Sequence, residues 1–210
     1  MNPGPRPFCL GRAHWNPVSP LRAPLTVLLL CSLLGCGVVG CGGASASGPL
    51  AQYGGHAAEL FDDVIEPRAV GLELDVAATP RADPILRERT QIGDAVVRVR
   101  ISTVTAAGYG KAMRHQLIMQ TLEKLAGERP PPPTFTVTLD DSSPSVGIVR
   151  NLESRLGGKT FIAFVKAFGA TVSGPSGEPA ERQYHFHMAP DTRDVRDAVA
   201  EAIVFAAFQK

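Results

Sequence analysis

Apolar and polar residues alternate with a period of two in four stretches of the chain, residues 70–76, 94–105, 134–139 and 183–188. Because successive side chains of a strand point to opposite faces of a sheet, this alternation predicts strands with one buried face. Residues 159–168 are apolar at most positions, which predicts a central strand or barrel wall covered on both faces. The pattern therefore predicts a sheet of about five or six strands.

Apolar residues at helical spacing mark both ends of the region that carries these strands. Residues 57–65 predict a short helix, with Asp62 and Asp63 on its solvated face. Residues 191–209 predict a longer helix capped by Asp191 or Thr192. Five residues form its expected buried face, namely Val195, Val199, Ala202, Ile203 and Phe208.

Other stretches carry weaker patterns. Residues 116–125 suit either a helix or a strand, and we favour a strand for 116–122 because strong strands flank it. Residues 85–90 fit neither element clearly, and residues 146–156 are expected to be irregular. The proline run at 130–133 is expected to be an extended spacer between strands.

Together these elements predict one α+β domain over residues 57–210. The expected architecture is an antiparallel curved β-sheet or small barrel, with the C-terminal helix packed on or beside it. The number and spacing of the strands resemble an OB-like barrel, a resemblance that carries no function. Residues 42–56 are rich in Gly, Ala and Ser, so we expect them to form a flexible tether.

The region before the tether has the pattern of an export signal. Residues 25–34 are nearly all apolar, Arg6, Arg12 and Arg22 precede them, and the first acidic residue is Glu59. A basic region, an apolar run and an exit of small residues define a secretory signal. An uncleaved membrane anchor is the alternative, although a run of about 17 residues interrupted by Gly and Cys is short for a membrane span.

Two short motifs close the apolar run, Leu33-Leu34-Gly35-Cys36 and Val38-Val39-Gly40-Cys41. Both resemble the lipobox of bacterial lipoproteins, in which aliphatic residues and a small residue precede a cysteine. The resemblance implies that Cys41, or alternatively Cys36, is alkylated with diacylglycerol and that the signal, residues 1–41, is removed. A disulfide between the two cysteines is a minor alternative. The Gly that follows each cysteine resembles lipoproteins sent to an outer membrane rather than kept in the inner one.

Charge and cysteine content narrow the class of protein. Loss of residues 1–41 removes three of the 21 basic residues, which leaves 18 against 20 acidic ones. Nucleic-acid binding needs a basic patch or stripe, so we expect no nucleic-acid partner. All four cysteines lie at or before Cys41. The exported domain therefore has no disulfide framework and no thiolate for catalysis.

His185 and His187 are the main candidates for a functional site. On a strand they share one face, which we expect to be the outer face, and two histidines at this spacing can bind zinc. No third ligand can be identified, and Glu181 and Asp191 are near only in sequence. We therefore expect no metal or other cofactor, and keep the pair as an alternative metal-binding or small-ligand site.

The sequence contains no Gly-x-Ser-x-Gly elbow and no His-Glu-x-x-His motif, the motifs that two large classes of hydrolase carry. We therefore expect a protein that is not an enzyme. The leading hypothesis is an exported envelope lipoprotein whose domain binds or scaffolds at the membrane. Its expected partners are the membrane, through the N-terminal lipid, and envelope proteins.

Overall fold

Six strands in the described part of the chain pair into one curved sheet. The computed structural model describes residues 50–72, 79–108, 113–169 and 182–208. Its strands are β1 (Val64–Ile65), β2 (Ala95–Ala107), β3 (Arg114–Ala126), β4 (Thr134–Asp140), β5 (Thr160–Gly169) and β6 (Arg182–Pro190). They lie in the order β1-β6-β5-β2-β3-β4. The order ends in β1 and β4, so the sheet is a half-barrel rather than a closed barrel.

The sheet is antiparallel at every strand pair except β1 and β6, which are parallel. Its curvature has a local cause in β2. The register of β2 against β3 shifts after Val96, after Arg98 and after Ile101. Irregularities of this kind bend the strand and increase its twist. The predicted α+β class with a curved sheet is therefore confirmed, with one parallel pair added.

Within the residues that the structure describes, five helices cover the two faces of the sheet. They are α1 (His56–Leu60), α2 (Pro84–Ile92), α3 (Val146–Asn151), α4 (Glu153–Leu156) and α5 (Arg193–Ala207). Short 3-10 turns at Pro67–Val70 and Pro80–Ala82 join the N-terminal elements. No helix in the described ranges is long and apolar enough to cross a membrane.

The core has two layers, one on each face of the sheet. Phe135 of β4 and Tyr184 of β6 are not on neighbouring strands, yet their ring centroids lie 5.5 Å apart. The face that they share is therefore the inside of the curve, and α3 and α4 close it with Val149 and Leu156. The outer face packs against α1, α2 and α5 through residues such as Phe164.

Four of the five stretches predicted as strands are confirmed. Strands β2, β4, β5 and β6 coincide with the predicted stretches, and the undecided stretch 116–125 lies within β3. In β2, Val97, Val99 and Ile101 are fully buried while Arg100 is exposed. In β5 both faces are buried, because it lies between β2 and β6 and is covered on each side.

Several sequence predictions need correction. The N-terminal helix stops at Leu60 and a strand follows, so the helix predicted over 57–65 is too long. Val70 ends a 3-10 turn rather than beginning a strand, and residues 73–78 lie outside the described part. The undecided residues 85–90 belong to α2. Residues 146–156 form two short helices instead of irregular chain.

The C-terminal helix is confirmed, but two of the five residues on its predicted buried face are exposed. Thr192 caps it, because its hydroxyl accepts a hydrogen bond from the N–H of Val195 over 3.4 Å. Val199 and Ala202 are buried as predicted, whereas Ile203 and Phe208 are 42% and 85% exposed. Only one side of the last two turns therefore faces the core, through Ala202, and the opposite side is exposed.

The folded part begins before Ala57, where the predicted tether was expected to end. Ala51 accepts a hydrogen bond from the N–H of Gly169, and Gln52 forms a bridge to the same residue. Residues 1–49, which include Cys36, Cys41 and the first part of the tether, lie outside the described residues.

Candidate binding site

The face of β6 that carries His185 and His187 is covered by chain rather than open to solvent. The two histidines share a face as predicted, but each is only 6% exposed. Their cover is the N-terminal segment 53–66. Strand β1 holds that segment in place by pairing Val64 with His187. The pair therefore lies on the outer face as predicted, beside Phe164 and Phe168, but that face is not open to solvent here, because a two-residue strand distant in sequence adds to the sheet beside β6.

The same pairing brings three carboxylates, those of Asp62, Asp63 and Glu66, against the histidines. The sequence pattern placed Asp62 and Asp63 on a solvated helix face, and this prediction is wrong. The helix ends before them, and Asp63 adopts a left-handed φ of 55°. As a result Asp63 is only 7% exposed. Aspartate and asparagine tolerate this conformation better than most residues.

Both ring nitrogens of His187 form hydrogen bonds with carboxylates. Its Nδ1 lies 2.9 Å from Asp62 Oδ1, and its Nε2 lies 3.3 Å from Glu66 Oε1. Burial lowers the pKa of His187, but its hydrogen bonds to the two carboxylates outweigh that effect and raise the pKa above its ordinary value. Arg89 adds a further cation 3.5 Å from Asp62. This part of the site is a buried charge network that joins α2, β1 and β6.

His185 pairs with a single carboxylate. Its Nδ1 lies 2.8 Å from Asp63 Oδ2, while the N–H of Phe186 donates to Asp63 Oδ1 over 3.2 Å. Burial raises the pKa of Asp63, and the bonds to His185 and Phe186 only partly offset it. Within the described ranges, the other ring nitrogen of His185, Nε2, has no hydrogen-bond partner. That nitrogen remains available to a ligand.

Tyr53 holds the ring of His185 in place. The two rings stack with centroids 3.5 Å apart and planes within 5° of parallel. Phe168 meets the His185 ring edge-on at 5.5 Å. The hydroxyl of Tyr53 donates to the carbonyl of Phe61 over 2.8 Å. Burial, together with Asp63 and Asp62, raises the pKa of Tyr53 to about 12, so the hydroxyl keeps its proton and remains a donor.

A cleft of about 890 Å³ opens beside His185 and Tyr53. Most of its wall consists of side chains that are able to form hydrogen bonds, from β3, β4, β6 and the loop after β4: Arg114, Gln116, Thr136, Thr138, Ser142, Ser143, Arg182 and Gln183. Tyr184 adds a second aromatic ring. Such a lining can bind a polar molecule through amide and hydroxyl contacts while an aromatic ring covers one side of it.

The geometry gives little support to a metal at the histidine pair. In the part of the chain that the structure covers, no three His, Cys, Asp or Glu side chains are arranged to hold a metal ion. Asp191, one candidate for a third ligand, instead binds Arg98 over 2.7 Å and Arg196 over 2.8 Å. The other candidate, Glu181, lies outside the described residues.

Sequence reasoning found the histidines but missed Tyr53 and the carboxylates that hold them. Two adjacent aspartates far from two alternate histidines give no local sign of contact. No protein-family model, curated protein or solved structure matches this chain.

Proposed function

We propose that this chain is a lipid-anchored lipoprotein of a bacterial envelope, whose half-barrel domain binds a polar ligand without transforming it. The observation that carries the binding role is the cleft of about 890 Å³ beside His185. The anchor is supported by the apolar run that ends in Cys36 and Cys41. The near-neutral charge of the exported part argues against nucleic acid as the ligand.

The intact mass of the membrane-extracted protein, together with its N-terminal peptide, tests the anchor. We expect a diacylglyceryl group on Cys41, or on Cys36, and no residue before it. The Gly after either cysteine leads us to expect the protein in the outer-membrane fraction. An unmodified chain that keeps residues 25–34 would contradict the lipoprotein assignment and indicate a helical anchor.

The cleft fits a ligand with hydroxyl or amide groups. Four groups of the wall form two pairs, Arg114 with Asp140 at 3.2 Å and Asp63 with His185 at 2.8 Å. Pairing weakens the field that these groups present to a charged ligand. Gln116 and its neighbours remain able to donate and accept hydrogen bonds. Oligosaccharides and peptide segments of envelope proteins both present matching groups.

An NMR titration tests binding. The probes are an oligosaccharide of N-acetylglucosamine and, separately, an alanine tripeptide. We expect one of them to shift the signals of cleft residues, and Gln116→Ala to weaken its binding by roughly tenfold, about one hydrogen bond to a neutral partner. Gln120→Ala is the matched control, because Gln120 is exposed on the same strand and face but outside the cleft. Equal binding by the two variants would contradict the proposal.

A second candidate function is a metal-binding or small-ligand domain that uses His185. One observation favours it, the availability of Nε2 beside the cleft. Titration with Zn²⁺ alone tests the metal version. Stoichiometric binding that His185→Ala abolishes and His56→Ala leaves intact would support it, since His56 is exposed and outside the cleft. A protein that binds no zinc would reject it.

A further inference from the structure

The large apolar side chains that the domain exposes are concentrated in its outer helical layer. Of the seven such residues in the described ranges, six lie on α2, on α5 or at the residue that caps α5. Four of these form a surface that we call the α5 patch: Ile203 (42% exposed), Val204 (56%), Phe205 (46%) and Phe208 (85%). An exposed cluster of this kind marks an interaction site more often than scattered apolar residues do.

The second half of α5 lacks the polar face that a surface helix usually has. Val195, Ala198, Val199 and Ala202 occupy the buried face of the helix. From 202 to 208 every residue is apolar, so the side opposite the core is apolar as well. A helix that is apolar on all sides is normally covered on all sides, by protein or by lipid.

We propose that the α5 patch rests on the surface of the bilayer to which the chain is anchored. This proposal relies on the lipid anchor proposed above. Nine peptide steps separate Cys41 from Leu50, the first described residue. A chain of that length spans at most about 30 Å. The anchor therefore keeps the start of the folded domain close to the bilayer surface.

The chain that follows the anchor joins the helical layer that carries the patch. His56 of α1 contacts Glu88 of α2 over 2.7 Å. In turn, the guanidinium of Arg87 on α2 lies 5.0 Å from the centre of the Phe205 ring on α5. Helix α1, helix α2 and the α5 patch thus form one continuous layer. Helix α1 is the first helix of the described part after the proposed anchor, so this layer lies near the anchor along the chain.

A bilayer suits the α5 patch better than a second copy of the chain does. A stable protein interface buries about 800 Å² per partner and uses roughly 20–30 residues on each side, whereas the patch contains four. The tether raises the effective concentration of the bilayer, so that a small apolar surface is sufficient. The guanidinium of Arg87 lies over the Phe205 ring at the edge of the patch, where this cation can also meet lipid phosphates.

Depth-dependent fluorescence quenching tests this placement. The lipidated protein carries an environment-sensitive label at Val204→Cys and is reconstituted into phosphatidylethanolamine–phosphatidylglycerol vesicles that contain acyl-chain spin labels. The lipid blocks Cys41; if Cys36 carries the lipid, Cys41→Ser is added. The matched control is Asn151→Cys, exposed on α3 over the inner face. We expect roughly twofold or stronger quenching at position 204 than at 151, because interfacial helices bury their apolar face about 5–10 Å deep. Adding Phe208→Ser should reduce the difference.

The possible results separate this proposal from the anchor on which it relies. Equal quenching at positions 204 and 151, in lipidated protein that floats with the vesicles, would overturn the docking and leave the anchor intact. Protein without lipid that does not float would refute the anchor, and the docking with it. Label self-quenching that rises with protein density, without quenching by lipid, would assign the α5 patch to a second copy and overturn the proposal.

Discussion

Replacement of Asp63 tests whether the contact with His185 holds the N-terminal segment on the sheet. Asp63 accepts hydrogen bonds from two buried groups, the Nδ1 of His185 at 2.8 Å and the N–H of Phe186 at 3.2 Å. Its backbone also adopts a left-handed conformation, with φ of 55°. Three substitutions separate these contributions. Alanine removes both acceptors and keeps a Cβ, glycine removes both but fits the backbone, and asparagine keeps one acceptor.

The expected costs follow from the number of buried donors left without an acceptor. Each such donor costs about 1–3 kcal/mol, so Asp63→Ala should lower the free energy of unfolding by about 2–6 kcal/mol. Asp63→Asn leaves one donor unmatched and should cost about half as much. Asp63→Gly should be about 1 kcal/mol less harmful than alanine, because a left-handed conformation is strained for a residue with a Cβ. The expected order of stability is Asp, Asn, Gly, Ala.

Urea unfolding of the four proteins, followed by circular dichroism, measures these differences. Asp197→Ala is the matched control, since Asp197 forms exposed ion pairs with Arg81 and Arg193. Such pairs contribute at most about 1 kcal/mol. If Asp63→Ala cost no more than this control, the buried contact with His185 would not exist as described. If Asp63→Gly proved less stable than Asp63→Ala, the backbone at position 63 would not have the left-handed conformation described here.

Three further predictions test other parts of the fold. Burial lowers the pKa of folded His187, but hydrogen bonds to two carboxylates outweigh burial and raise that pKa above 6.5. The stabilising effect of His187 is therefore complete below pH 6.5 and is lost as pH rises through the folded-state pKa. Urea midpoints from pH 5.5 to 9 should show this loss in the parent protein but not in His187→Gln. Gly127→Ala should cost about 3–5 kcal/mol, because φ is 86° and a Cβ would collide with the backbone of Asp94 and Ala95 at the start of β2. Gly147→Ala, in open space on α3, should instead stabilise by about 0.5–1 kcal/mol in the same assay. Burial would raise the pKa of Asp191, but hydrogen bonds from Arg98 and others lower it below 3.8. The stabilising effect of Asp191 is therefore present above pH 3.8 and is lost as pH falls through the folded-state pKa. Below pH 4, the free energy of unfolding of Asp191→Asn should depend less on pH than that of the parent protein.

The sheet could be predicted because half-buried strands carry their own local signal. In β4, Phe135, Val137 and Leu139 alternate with threonines, and the structure buries the former and leaves the latter on the other face. Alternation reports burial directly, so it survives without knowledge of the partners. Residues 116–125 gave a mixed signal, because the strand β3 that contains them is buried on one face at its start and largely exposed toward its end.

The site could not be predicted because it depends on pairing between distant parts of the chain. Strand β1 has only two residues, too few for any period to show, yet it determines what covers β6. The parallel register of Val64 with His187 brings Asp62 and Asp63 to the histidines across more than 120 positions. No local sequence pattern indicates such a contact. The one unusual feature is that two adjacent acidic residues, Asp62 and Asp63, lie directly before a short buried strand, where charged side chains are uncommon.

The segment that leads from the proposed anchor also forms one wall of the cleft. Tyr53 stacks on His185, and Asp63 pairs with it, so the ring keeps its position only while residues 53–63 stay on the sheet. A soluble fragment that begins at Ala57 would lose the stacked ring and the bridge from Gln52 to Gly169. It would keep the strands but lose the shape of the binding site. The smallest unit that can report ligand binding must therefore include Ala51, Gln52 and Tyr53, so part of the cleft wall belongs to the stretch of chain that leads to the proposed anchor.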